Sequence, residues 1–138
     1  MRQTEEAALA GETFGRFAAE VVAPLAERIH REDITVPEAL LQPLREMGVF
    51  GLSIPTRYGG SASEVDNTPL MLAVTETLSR ASLAAAGSLI TRPEILARAL
   101  LAGGTEAQKM KWLPAIAAGN PLCAIAISEP DHGSDVAA

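Results

Sequence analysis

"GGTEAQKMKWLPAIAAGNPLCAIAIS", residues 103–128, holds the change of pattern on which the fold turns. Gly103 and Gly104 close the segment before them, since glycine accepts the backbone that ends a helix. Thr105 and Gln108 then have the spacing of a capping box, which satisfies two free donors in the first turn of a new helix. Within that helix Met110, Trp112, Leu113 and Ile116 alternate with Lys109 and Lys111. Gly119, Asn120 and Pro121 break it, and residues 122–128 read as a short buried strand. A lone apolar strand has nothing to pair with and is an aggregation hazard. The order is helices first and then one strand, which predicts an all-α domain followed by the first strand of a second, β-rich unit otherwise missing from the chain.

Upstream, each segment reads as helix. Between residues 5 and 30, Phe14, Phe17, Val21, Val22, Leu25 and Ile29 recur at spacings of three and four, and Pro24 is expected to bend or split the helix. A second helix is expected from Thr35, where Thr35 and Glu38 again have capping-box spacing. Leu40, Leu41, Leu44 and Met47 supply its buried face and Gly48 its stop, while Pro43 strains its interior. The connection over residues 49–67 turns at Pro55, Gly59 and Gly60 and tucks Phe50, Leu52 and Ile54 onto the core. Thr68 and Pro69 open a third helix with Leu70, Val74, Leu78 and Ala81 on one stripe. Residues 81–104 carry almost no charge in their first half, which predicts a helix surrounded by others, interrupted or restarted at Pro93.

The chain has 138 residues, enough for one domain with a substantial core. Hydrophobic residues make up 48% and charged residues 20%, the balance of a folded globular chain; only 4% are aromatic, so aliphatic side chains must fill the core. A net charge of −6 provides no basic field for phosphates and argues against nucleic-acid binding. The single Cys123 excludes an intrachain disulfide and a cysteine-based zinc site, and with no basic neighbour it reads as a buried structural thiol. The acidic start carries no targeting signal, and the uncharged stretch between Arg80 and Arg92 is too short to span a bilayer, so a cytoplasmic protein without membrane insertion is expected.

The loop that follows the predicted strand contains Glu129, Asp131, His132, Ser134 and Asp135. Ser134, His132 and Asp135 are the residue types of a hydrolytic triad, but neighbours so close in sequence do not reach its separated geometry, and no nucleophile elbow is present. The acidic residues and His132 match neither a helical histidine pair nor a calcium loop, so no metal site is expected. Gly133 followed by Ser134 and Asp135 suits a turn whose outward N–H groups bind anionic oxygens. The residues alone leave two readings open, a solvated turn or an anion or cofactor loop.

"AISEPDHGSD", residues 126–135, resembles the acyl-CoA dehydrogenase signature: an apolar strand, a hydroxyl residue, Glu-Pro, two variable positions and Gly-Ser-Asp. "MGVFGLSIPTRYGG" (47–60), "LAVTETLSRASLA" (72–84) and "GGTEAQKMKWLPAIAAGNPL" (103–122) resemble further family segments in family order, so the resemblance extends from about Glu5 onward. Within the family, residues 87–114 are most similar to methylsuccinyl-CoA dehydrogenases.

The resemblance implies a helical N-terminal domain over residues 1–120 and the start of a middle β domain over 121–138. In the family these precede the rest of a β-barrel and a four-helix bundle that binds FAD against it. It implies oxidation of an acyl-CoA to the 2,3-enoyl-CoA, with reoxidation by an electron-transferring flavoprotein and a homotetrameric assembly of the intact enzyme. Ser128 takes the position, usually threonine, that hydrogen-bonds the flavin edge, with a backbone contact from Ile127 beside it. Gly133 allows close backbone approach, Ser134 meets the FAD phosphates or the phosphopantetheine of the substrate, and Ile125 stands where an aromatic residue is common. The catalytic base of the family lies in the C-terminal domain, so no catalytic residue is expected in residues 1–138, Glu129 serves to position the loop, and the chain alone is expected to be inactive. Residues 83–91 would line the acyl pocket, ordinary helix packing being the competing reading. Arg92 would pair with a second carboxylate on a dicarboxylic acyl-CoA. The alternative expectation is a non-catalytic helical binding module from a truncated or split gene.

Overall fold

Apolar residues three and four apart give the first helical segment one buried face, and a computed structural model, which describes residues 2–62 and 68–135, shows how far that face runs. Helix α1 (Arg2–Phe17) passes through a wide π turn (Ala18–Val22) directly into α2 (Ala23–Glu32). Pro24 has no N–H for the carbonyl of Glu20, and its ring would press on that carbonyl; the wide turn opens the ladder just there. The Ala23 N–H bonds to the Ala18 carbonyl, five residues back, and the helix continues unbroken. Asp33 ends α2 in the left-handed region, at φ 49°.

Helix α3 (Glu38–Glu46) begins after Pro37, and no side chain caps it. The expected Thr35–Glu38 capping box does not form. A residue preceding proline is pushed out of the helical region, so Val36 cannot begin the first turn, and the helix starts three residues late. The Glu38 carboxylate pairs instead with Arg45. Pro43 stands inside α3, where it forfeits the bond to the carbonyl of Ala39; that residue is exposed, and water can satisfy the carbonyl. Gly48 follows at φ 69°, the expected stop.

The connection after α3 forms two 3-10 turns, Val49–Gly51 and Thr56–Tyr58, and buries Phe50, Leu52 and Ile54 as expected. It folds back on itself: Ser61 donates to the Gly51 carbonyl at 3.0 Å and Ala62 to the Ile54 carbonyl at 2.9 Å. Gly60 passes so close that a Cβ there would lie 2.0 Å from the Ile54 oxygen. Residues 63–67 of the connection lie outside the described residues.

Helix α4 (Thr68–Ala81) packs along α1, burying Met71, Val74 and Leu78. A second π turn (Leu83–Gly87) leads into α5 (Ser88–Gly103), which runs through Pro93 without a break. The low-charge stretch is buried on one side only: Ala86, Leu89 and Ile90 enter the core, whereas Leu83 and Ile95 are exposed. Helix α6 (Glu106–Ala117) carries the predicted capping box, with Gln108 N–H donating to Thr105 Oγ1 at 3.3 Å and Thr105 N–H to Gln108 Oε1 at 2.8 Å.

Among the described residues the core has two clusters. One gathers Phe14, Val22, Leu40, Leu44, Phe50, Val74, Leu78 and Ile90 from α1 to α5. The other joins Ile54 and Tyr58 of the connection to Ala97 on α5 and Leu113, Ile116 and Ala117 on α6. The fold is all-α. Among the described residues the one β feature is an isolated bridge between Pro55 and Ala62. Residues 122–128, expected as a buried strand, are extended without a ladder, and Leu122, Ile125 and Ile127 are exposed. A strand requires a partner, and none exists among the described residues. No described helix is long and apolar enough to cross a membrane.

Candidate functional site

The polar loop is held to the domain at its root. Helix α6 ends in a Schellman turn, in which Gly119 N–H donates to the Ile116 carbonyl at 2.9 Å and Asn120 N–H to the Ala115 carbonyl at 3.1 Å. Gly119 sits at φ 65°, where glycine is nearly strain-free. A Cβ at that position would also lie 2.4 Å from the Phe50 ring. Arg45 on α3 reaches the same turn and donates from Nε to the Gly119 carbonyl at 3.1 Å.

From this anchor, Pro121 to Ala124 run beside a groove of about 370 Å³ lined by Leu96, Leu100, Trp112 and Ile116. Cys123 packs there against the second core cluster. It is half-buried rather than fully buried, and that burial pushes its thiol above the ordinary cysteine value. Among the described residues no cation pairs with it, and a raised thiol pKa makes it a poor nucleophile at neutral pH.

Beyond Cys123 the described residues, 124–135, are exposed. Ile125 and Ile127 project into solvent, and the loop turns back so that Glu129 N–H donates to the His132 carbonyl at 2.7 Å. This turn brings Gly133 over Ser128: a Cβ at Gly133 would meet Ser128 Oγ at 3.4 Å. Ser128 itself is exposed. Ser128 and Gly133, five positions apart in sequence, therefore share one corner, with Ser134 next to it. The carboxylates of Glu129, Asp131 and Asp135 and the imidazole of His132 are exposed, and among the described residues no three metal-binding side chains converge. Residues 136–138 lie outside the description.

Arg92 stands on α5, exposed, in no hydrogen bond or ion pair among the described residues. The structure does not join it to the Ser128 corner. At the start of α6 Glu106 accepts from Lys109 Nζ at 3.0 Å and from the buried Tyr58 hydroxyl at 3.2 Å. The hydrogen bond and charge of Lys109, then the Tyr58 hydroxyl, hold the Glu106 carboxyl below its ordinary value. Neither the Tyr58–Glu106 contact nor the reach of Arg45 was legible in the sequence, because each joins residues far apart in the chain with no motif between them.

The corner offers an exposed hydroxyl that can donate or accept beside a glycine, with the exposed Ile125 and Ile127 before it and Glu129 after it.

Comparisons with known proteins agree over nearly the whole chain. Residues 4–120 match the acyl-CoA dehydrogenase N-terminal domain. The chain is 44% identical over 132 residues to (2S)-methylsuccinyl-CoA dehydrogenase of Cereibacter sphaeroides, covering 96% of this chain and 23% of that protein. Among solved structures it superposes on a glutaryl-coenzyme A dehydrogenase in complex with glutaryl-CoA with a TM-score of 0.81 at 30% identity, covering 95% of this chain and 33% of the other. The acyl-CoA dehydrogenase of Bacillus anthracis complexed with FAD gives 0.75 at 27% identity, covering 96% and 22%. The chain thus spans a third or less of the length of each of these proteins.

Proposed function

The chain belongs to the acyl-CoA dehydrogenase family, and from that premise we propose that it supplies the helical N-terminal part of an FAD-dependent enzyme that oxidises an acyl-CoA thioester to the 2,3-enoyl-CoA. The observation that supports this most is the match of residues 4–120 to the family's N-terminal domain. In this reading residues 1–120 form that domain, and residues 121–138 begin the middle β domain.

The reaction removes a proton from the acyl α-carbon and a hydride from the β-carbon. FAD, when bound, supplies the acceptor for the hydride. The part of this chain is to place and polarise. The exposed Ser128 hydroxyl would hydrogen-bond the flavin edge, and the Ile127 backbone would lie alongside. Ser134 would meet a phosphate or the pantetheine arm, and Ile125 would offer aliphatic contact in place of an aromatic ring. Glu129 acts through its backbone, tied to His132, and the α-proton is removed by a base outside these residues. We assign electron transfer to an electron-transferring flavoprotein and the intact assembly to a homotetramer on the same family grounds.

For the substrate we propose a dicarboxylic acyl-CoA of the methylsuccinyl type. The 44% identity to a methylsuccinyl-CoA dehydrogenase supports it, as does a guanidinium at Arg92 with no internal partner among the described residues. A planar guanidinium can hold the distal carboxylate through two parallel hydrogen bonds.

The test uses the flavin-loaded polypeptide that carries this chain, mixed anaerobically with methylsuccinyl-CoA or butyryl-CoA. Loss of oxidised-flavin absorbance with the first and weak response to the second is expected. Arg92→Ala should erase the discrimination, and equal discrimination in the variant would overturn the Arg92 assignment. No response to any acyl-CoA would overturn the function.

A further inference from the structure

Arg45 connects two parts of the chain that are far apart in sequence. The other paired cations of the described residues, Arg28, Arg31, Arg80, Arg98 and Lys109, bond to a carboxylate three or four positions away on their own helix. Exposed pairs of that kind contribute little. Arg45 also pairs within its helix, through Nη1 to Glu38, but its Nε donates across 74 positions to the Gly119 carbonyl. Its side chain is only 22% exposed, and its Cγ lies 3.1 Å from where a Cβ of Gly119 would be. The stem of Arg45 and the ring of Phe50 therefore cover the Gly119 turn, while the guanidinium holds its carbonyl.

This turn is the last part of the chain with regular internal hydrogen bonds before the Ser128 corner. From Pro121 to Ala124 the chain runs along the groove of Leu96, Leu100, Trp112 and Ile116. The direction in which residues 122–135 leave the domain is thus set at Gly119. We propose that Arg45 is a positioning residue, which fixes the departure of the 122–135 segment from the helical domain and so sets where Ser128 and Gly133 are presented. The final step of this inference, that the presented corner meets a flavin, rests on the function proposed above.

The fork of the guanidinium explains why arginine serves here. One nitrogen engages Glu38 while another engages Gly119, a geometry that the single ammonium of lysine does not reproduce. The carbonyl at the end of α6 also gains from a nearby positive charge, since the C-terminal end of a helix carries partial negative charge.

Cys123 reads out the arrangement. It is the one cysteine in the chain, lies four positions past Gly119, and is sheltered in the groove that the anchored segment borders. Thiol modification under native conditions reports the fraction of time the segment is open. The experiment measures the rate at which a neutral thiol reagent labels the 138-residue chain at neutral pH, with unfolding by urea followed in parallel. Losing a charged hydrogen bond should raise the labelling rate of Arg45→Ala about tenfold. Arg45→Lys keeps the charge and guards against a variant that fails to fold; it should label closer to Arg45→Ala than to the wild type. Val74→Ala destabilises the first core cluster from α4 while leaving Arg45, Phe50 and Gly119 in place, and should label within about twofold of wild type. A wild-type rate in Arg45→Ala, full rescue by lysine, or equal acceleration by Val74→Ala would each overturn the proposal. The measurement needs neither flavin nor substrate, so its failure is distinct from a failure of the proposed function, which flavin retention by a Ser128→Ala variant tests separately.

Discussion

Replacing Gly60 by alanine should damage this domain more than any other single methyl added to its glycines in the 51–62 loop. The new Cβ would lie 2.0 Å from the Ile54 carbonyl oxygen and 2.6 Å from both the Ile54 carbonyl carbon and its Cβ. Two of those atoms are backbone, so no rotamer change relieves the contact. Restoring van der Waals distance requires the loop to open by on the order of 1 Å. That movement breaks or weakens the Ser61–Gly51 and Ala62–Ile54 hydrogen bonds, each worth about 1 kcal/mol net. It also loosens Ile54 and Tyr58, which are 0% and 3% exposed and tie the loop to α6. The sum is roughly 2–4 kcal/mol, a large part of the roughly 5–15 kcal/mol that holds such a domain folded. Urea unfolding followed by far-ultraviolet circular dichroism measures it, and a fall in Tm of about 10 °C should accompany the shift in midpoint. Gly59→Ala is the control. Gly59 sits at φ 82° with open space around its Cβ position, so only backbone strain of about 1–2 kcal/mol applies. If Gly60→Ala proved no less stable than Gly59→Ala, the close approach of Gly60 to Ile54 would not be the constraint argued here.

Gly11→Ala should act in the opposite sense: Gly11 is in α1 with nothing within 4 Å of its Cβ position, and the variant should gain about 0.5–1 kcal/mol in urea unfolding. Ser53→Ala should leave stability unchanged or raise it, because Ser53 Oγ is buried without a hydrogen-bond partner among the described residues; a loss above about 1 kcal/mol would show that the hydroxyl is satisfied. Glu106 has a lowered carboxyl pKa in the folded state, so its contribution is present above the ordinary value near 4.5 and is lost as pH falls through the lowered one. The difference in urea midpoint between wild type and Glu106→Gln should therefore narrow as pH drops below 4.5, and a difference constant with pH would contradict the Lys109 and Tyr58 contacts as its source.

Local signals were legible wherever one short segment contained the whole of the physics. The Thr105–Gln108 box forms as read, because four consecutive residues supply both donors and both acceptors. Thr35 and Glu38 have the same spacing and fail, because Pro37 between them keeps the preceding residue out of the helix. Pro24 was expected to bend or split its helix, yet a wide turn absorbs it. The apolar run at 122–128 had the composition of a strand, but pairing is a property of two segments, and the described residues supply one.

The sequence by itself determined an all-helical domain, its principal buried faces and the motif at residues 126–135, since side-chain period and turn chemistry act over a few residues. The tertiary structure decided which backbone lies against which. It alone placed Gly60 against Ile54, Gly119 beneath Phe50, and Arg45 across 74 positions onto the turn that launches the motif. Those contacts depend on the relative placement of packed helices, which the core as a whole determines and no short stretch of residues encodes.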